Sequence, residues 1–433
     1  MTDSSNPRRL AALEQRAADA TRNGRVVEAV AAWSEVLSLD PNHLAALTQL
    51  GQAAWHAGDM RAARAAFERA AAAGPDDARR WVSLAAVLER QGDEAALDLA
   101  LSKALVIDPR ELLALLMRGR LHERAGRTVQ AAAAYAAAVA VAPSIDKLRQ
   151  DLRAPLAQAI EFNRRHRETL AAFIDERLHE DLNQCHGAGA ERFRLSLDIL
   201  LGRKQRHDPQ PLIYYYPKLE PVEFFDRTHF PWLEALEDGA AQVCDEFMAV
   251  QAADQGFVPY IQYGQDQPVD QWARLNHNLA WSVLHLVQRG QPVPANAERC
   301  PRTMALWSQH VPAPRQSGRT PVAMFSVLKP HTHIPPHTGA SNVRLVAHLP
   351  LIVPAGCRFR VGNAVREWSP GKAWVFDDTI EHEAWNDSDQ VRVVLIFDVW
   401  HPALSAEERQ LISRLNEALD SFGGGAAAAD YSG

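Results

Sequence analysis

The sequence predicts a multidomain protein in which an all-helical repeat array precedes a β-rich domain of sandwich or barrel type. Three observations carry that reading. Four residue columns recur every 34 positions through the first third of the chain. After about residue 210 the texture changes to tryptophan, proline and short β-type runs separated by turns such as VGNA and SPGK. And 433 residues exceed what one core ordinarily fills.

The columns are Gly24, Gly58, Gly92 and Gly126; Ala32, Ala66, Ala100 and Ala134; Trp33, Phe67, Leu101 and Tyr135; and Pro41, Pro75, Pro109 and Pro143. Glycine suits the turn within a helix pair, where a positive φ is wanted. A small residue followed by a large one lets helices cross closely and then fills the gap beside the crossing. Proline follows the second helix and is expected to open the next. Over about residues 10–145 this pattern resembles the tetratricopeptide repeat family. The resemblance implies a stack of helix pairs whose concave face holds a peptide or partner segment, with an oligomerising scaffold as an equal alternative.

The domains are therefore expected at 1–145 (repeat array), 146–209 (a helical bridging region without the period), 210–422 (the β-rich domain) and 423–433 (a flexible tail). Within the third, IYYYPKLEP, FVPYIQYG, LNHNLAWSVLHL and PVAMFSVL read as strands or loop–strand units, and FPWLEALEDGAAQVCDEFMAV as one helix. VRLVAHLPLIV, CRFRV, AWVF and VRVVLIFDVW read as further strands. Ser405 and Glu408 form a capping-box pattern ahead of a terminal helix.

Composition narrows the partners. The chain is 47% hydrophobic and 23% charged, with a mean hydropathy of −0.25 and a net charge of −7. That balance disfavours nucleic acid. The start has no signal-type apolar core, and no run is long and apolar enough to insert into a membrane. Cys185, Cys244, Cys300 and Cys357 lie far apart, as reduced thiols in a cytoplasm would.

The stretch HTHIPPHTGASN, residues 331–342, holds three histidines and no carboxylate. Two neutral imidazoles with open positions are a minimal site for Fe(II). A second histidine is available at His382, in FDDTIEHEAWN. Arg392 follows ten residues later, within the apolar run VRVVLIFDV, where a buried charge needs a partner such as a dicarboxylate. Histidine, a gap, histidine and then arginine is the order found in 2-oxoglutarate-dependent oxygenases.

The string PHTGASNVRLVAHLPLIVP, GCRFRVG, FDDTIEHEAWN and RVVLIFDVWHP resembles the aspartyl/asparaginyl β-hydroxylase family over roughly residues 210–415. The resemblance implies a double-stranded β-helix, a cupin-like jelly roll, with flanking helices. It implies hydroxylation of an aspartyl or asparaginyl β-carbon in a peptide or protein, using O2 and converting 2-oxoglutarate to succinate. His337 and His382 are then the Fe(II) ligands. Arg392, with Ser326, would hold the distal carboxylate of 2-oxoglutarate, and His348 the carboxylate beside the keto group. Arg344, on the strand face of His348, would point into the same pocket. His331 and His333 read as loop residues, and Asp377 and Asp378 as turn residues orienting the His382 loop.

Two positions depart from the family pattern. His331 stands where glycine is usual, and Val346 where mammalian-type members have a second arginine. Gly339 occupies the place of the acid in a two-histidine, one-carboxylate triad, so water is expected in its stead. A glycine there is shared with 2-oxoglutarate halogenases, but the surrounding motifs favour hydroxylation without chloride. The alternatives are the same chemistry on a free amino acid or another small molecule, and a non-catalytic tetratricopeptide interaction protein.

Overall fold

The computed structural model describes residues 6–144, 146–253, 255–314 and 320–422; the tail expected at 423–433 lies outside them. Contacts divide the chain into two units, Met1–Gly202 and Arg203–Gly433.

In the first unit, four helix pairs follow one another: α1 (Asn6–Arg22) with α2 (Val26–Leu39), α3 (Leu44–His56) with α4 (Met60–Ala73), α5 (Ala78–Gln91) with α6 (Glu94–Ile107), and α7 (Leu112–Arg124) with α8 (Thr128–Val141). Gly24, Gly58, Gly92 and Gly126 sit in the intra-pair turns at φ of 67°, 80°, 73° and 69°, the left-handed region that glycine enters without a Cβ penalty. The prolines do not open helices. Pro41 follows the cap Asp40 and precedes the N-cap His43 by two residues, so it shapes the turn between pairs.

Trp33, Phe67, Leu101 and Tyr135 are all buried, and what they press against is a fifth column that composition hides. Ala17, Gly51, Ala85 and Gly119 recur at the same 34-residue step on the first helix of each pair. A Cβ on Gly51 would lie 2.7 Å from the Phe67 ring, and one on Gly119 2.3 Å from the Tyr135 ring. Where the column holds glycine, the ring of Phe67 or Tyr135 fills the space a Cβ would take. Gly119→Val is therefore expected to cost the array about 3 kcal/mol through overpacking, read as a lower midpoint in the helical melt, whereas Ala133→Val on the exposed side of α8 should leave it nearly unchanged. Equal midpoints would remove the packing account.

Helix α9 (Gln150–Gln184) follows as one 35-residue helix, and α10 (Ala188–Leu200) comes after a break at Cys185–Gly187. The start of α9 closes the array: Leu152, Leu156 and Ala159 join Leu148 against Leu115, Leu116 and Tyr135.

The second unit holds eleven strands among its described residues: β1 (Val258–Pro259), β2 (Trp281–Gln288), β3 (Gln291–Pro292), β4 (Ala323–Leu328), β5 (Thr332–His337), β6 (Arg344–Ile352), β7 (Cys357–Val361), β8 (Ala364–Glu367), β9 (Trp374–Phe376), β10 (His382–Asn386) and β11 (Arg392–Trp400). They form two sheets. One runs β1-β2-β4-β11-β6-β9 with β3 against β2, and the other β5-β10-β7-β8. Every pairing is antiparallel, which is the layout of a double-stranded β-helix.

Strand parity decides what each face meets. Leu345, Ala347, Leu349 and Leu351 of β6, with Val393, Leu395, Phe397 and Val399 of β11, pack beneath helices α11 (Leu233–Asp238), α12 (Ala240–Ala252) and, after the short α13 (Pro294–Ala297), α14 (Pro301–His310). The alternate residues face the smaller sheet, where Ile334, Val346, Phe359, Phe376, Ala384 and Val394 share a second core.

Three expectations need correction. The run FPWLEALEDGAAQVCDEFMAV makes two helices, because α11 ends at Gly239, where a Cβ would meet Leu306 at 2.5 Å. IYYYPKLEP forms no strand; it is a strap. Gln210 N–H donates to the Thr379 carbonyl (2.7 Å), while Leu212 and Ile213 donate to Gly339 and Ala340 (3.0 Å each). His333 and His337 lie on a strand, β5, not on a loop, while His331 stays in the turn before it. The capping box does form: Ser405 N–H donates to Glu408 (2.8 Å) and Glu408 N–H to the Ser405 hydroxyl (3.2 Å), opening α15 (Ala406–Phe422).

Candidate active site

His337 ends β5 and His382 begins β10, and the register makes them direct neighbours. Their rings lie 4.0 Å apart, centroid to centroid. Each is held by the carbonyl two residues earlier: His337 Nδ1 to Pro335 O at 2.8 Å, and His382 Nδ1 to Ile380 O at 3.0 Å. A carbonyl only accepts, so both Nδ1 atoms carry the proton and both Nε2 lone pairs are left free. Burial pushes His337 well below the usual imidazole range, with His382 beside it adding to the effect, and lowers His382 to about 4. Two neutral imidazoles with adjacent lone pairs suit a borderline divalent metal. No group of three or more His, Cys, Asp or Glu side chains placed to hold a metal occurs among the described residues.

The missing acid has a steric cause. A Cβ on Gly339 would lie 2.0 Å from Asp378 Oδ2. The Asp378 carboxylate fills that space, held by Arg344 at 3.1 Å, while its Oδ1 is buried without a partner. Asp377 serves the turn, accepting from the Thr379 N–H (2.9 Å) and hydroxyl (2.6 Å). His331 and His333 point elsewhere, to Asp389 (2.9 Å) and Glu383 (2.8 Å).

Deeper in lies Arg392, 2% exposed. It opens β11 rather than sitting mid-strand. Its guanidinium donates to Ser326 Oγ at 3.3 Å and lies 4.9 Å over the Trp368 ring, with Nε unpaired. No carboxylate among the described residues forms an ion pair with it. Burial therefore acts almost unopposed and lowers it to about 10. Trp281 Nε1–H also donates to Ser326 (3.2 Å). Trp368 Nε1–H donates to His348 Nδ1 (3.3 Å), which leaves the proton of His348 on Nε2. Burial, and Arg392 next to it, keep His348 neutral.

Ser326, His337, Arg344, His348, His382 and Arg392 all line one cavity of about 100 Å³. Parity explains why: Arg344 and His348 alternate on β6 as Arg392 and Asp398 do on β11. Arg344 is already paired, with Asp398 at 2.8 Å as well as with Asp378. Asp398 was findable by counting along β11 from Arg392. Trp368 was not, since it lies between β8 and β9, where no period applies.

Residues 237–402 match the family described as aspartyl/asparaginyl beta-hydroxylase. The matched stretch spans the two-sheet domain from α12 to the end of β11. Residues 20–88 match a tetratricopeptide repeat. The chain is 38% identical to the aspartyl/asparaginyl beta-hydroxylase of Mus musculus, covering 30% of this chain and 17% of that protein. It is 37% identical to aspartate beta-hydroxylase domain-containing protein 2 of Homo sapiens (47% and 54%). It is 34% identical to the ornithine lipid ester-linked acyl 2-hydroxylase of Rhizobium tropici (44% and 64%). The chain thus spans less than two thirds of each of these relatives. No described helix is long and apolar enough to cross a membrane.

The β-hydroxylase pattern makes sense of both departures. His331 has φ of 56°, a left-handed conformation that glycine adopts freely. Val346 lines the cavity between Arg344 and His348, so an apolar wall stands where a second guanidinium would be.

Proposed function

We propose that this chain is an Fe(II)- and 2-oxoglutarate-dependent oxygenase that hydroxylates the β-carbon of an aspartyl or asparaginyl residue in a peptide or protein. The observation that carries the reading is Arg392: a fully buried cation with no carboxylate paired to it among the described residues, in a cavity that also holds two metal-ready imidazoles. A buried charge left alone costs several kcal/mol, so the cavity is built for an anionic ligand.

His337 and His382 would hold the metal through Nε2. Arg392 and Ser326 would hold the distal carboxylate of 2-oxoglutarate, and His348 Nε2–H would donate to the carboxylate beside the keto group. The aromatic wall of Phe359, Trp368 and Phe376 keeps bulk water from the reacting atoms. When bound, the metal and its co-substrate supply oxygen activation: a C–H bond becomes C–OH while 2-oxoglutarate and O2 become succinate and carbon dioxide. The repeat array would hold the segment that carries the substrate residue.

The test is succinate formation from 2-oxoglutarate by the full chain. It is expected with Fe(II) and absent with metal chelated or with His337→Ala. Metal-independent or zero consumption of 2-oxoglutarate would sink the reading.

A further inference from the structure

We propose that the residue this site accepts is an amide, asparaginyl in preference to aspartyl. The inference rests on the oxygenase reading above and narrows its substrate.

Its ground is the charge of the cavity wall. Two guanidiniums line it, Arg344 and Arg392, against two carboxylates, Asp378 and Asp398. These fixed charges cancel. A divalent metal and a dicarboxylate co-substrate cancel as well. The substrate therefore meets a site with no cation to spare: Arg392 is shut inside, and Arg344 is committed on both sides, 3.1 Å from Asp378 and 2.8 Å from Asp398. Asp398 is itself fixed from behind, accepting from the Val322 N–H at 2.8 Å.

The lining residues that keep partial exposure, and so mark the open end, are Tyr260, Val322, His337, Arg344 and Ile396, and the one charged group among them, Arg344, is the guanidinium already held by Asp378 and Asp398. An aspartyl carboxylate entering there would be desolvated beside two carboxylates with their one shared cation already taken. An asparaginyl side chain enters neutral. It also brings what the wall lacks, since Asp378 Oδ1 is a buried acceptor without a partner and an amide NH2 is a donor.

The experiment measures binding without turnover. Full-length protein carrying Zn(II) and 2-oxoglutarate is titrated at neutral pH with N-acetyl-asparagine methylamide or N-acetyl-aspartate methylamide, read by saturation-transfer NMR. The amide should bind roughly tenfold or more tightly than the acid, the ratio that one uncompensated charge readily produces. Asp398→Asn frees one side of Arg344 and should narrow that ratio. Equal binding, tighter binding of the acid, no binding of either, or a ratio unmoved in a folded Asp398→Asn variant would overturn the proposal. The wild-type ratio stands whether or not the variant folds. Fe(II)-dependent succinate formation, measured on the same preparation, separates the two readings: succinate without an amide preference overturns the selectivity alone, and no succinate overturns the oxygenase reading beneath it.

Discussion

Arg392→Ala raises the 2-oxoglutarate concentration needed for half-maximal turnover by roughly two orders of magnitude, within the range of about 2–5 kcal/mol for truncating one partner of a buried charge pair. The effect is large because nothing can take over. Arg392 is 2% exposed, its side-chain partner is the hydroxyl of Ser326, and the other arginine of the cavity is held by two carboxylates. Removing the guanidinium also removes an unpaired buried charge from the free protein, so folding should not suffer in proportion. Initial rates across 2-oxoglutarate concentrations, beside a thermal melt, separate the two effects. An unchanged half-saturation point would mean the co-substrate binds elsewhere.

Gly339→Asp does not create a third metal ligand; it dismantles the site. The new Cβ would fall 2.0 Å from Asp378 Oδ2, so Asp378 must leave, and with it one of the two ion pairs of Arg344. Breaking a buried pair costs about 3–5 kcal/mol. The turn carrying His382 shares that backbone, since the Gly339 N–H donates to the Asp378 carbonyl at 2.6 Å. A markedly lower melting midpoint and loss of metal-dependent turnover are expected. A variant that melts like wild type and binds metal more tightly would show that the glycine is an open ligand position after all.

Much of this architecture was legible because it is periodic. A 34-residue step placed the helix pairs, and alternation by two placed Arg344 with His348 on one strand face. Two kinds of feature escaped. One depends on a neighbour's volume: Gly51 and Gly119 matter because Phe67 and Tyr135 lie against them, and Gly239 splits a helix because Leu306 does. The other depends on closure in space. Asp378 reads in sequence as a turn residue, yet it is the group that fills the gap at Gly339 and neutralises Arg344. Trp368 reads as a loop tryptophan, yet it orients His348 and underlies Arg392. Neither follows from spacing, because each bridges segments that pair only after the two sheets have closed.

The most direct measurement is a crystal structure of the full chain with Fe(II) and 2-oxoglutarate, grown without oxygen. The account predicts a metal bound by His337 and His382 as its side-chain ligands, with the distal carboxylate of 2-oxoglutarate on Arg392 and Ser326. A side-chain carboxylate on the metal, or a co-substrate anchored away from Arg392, would contradict it.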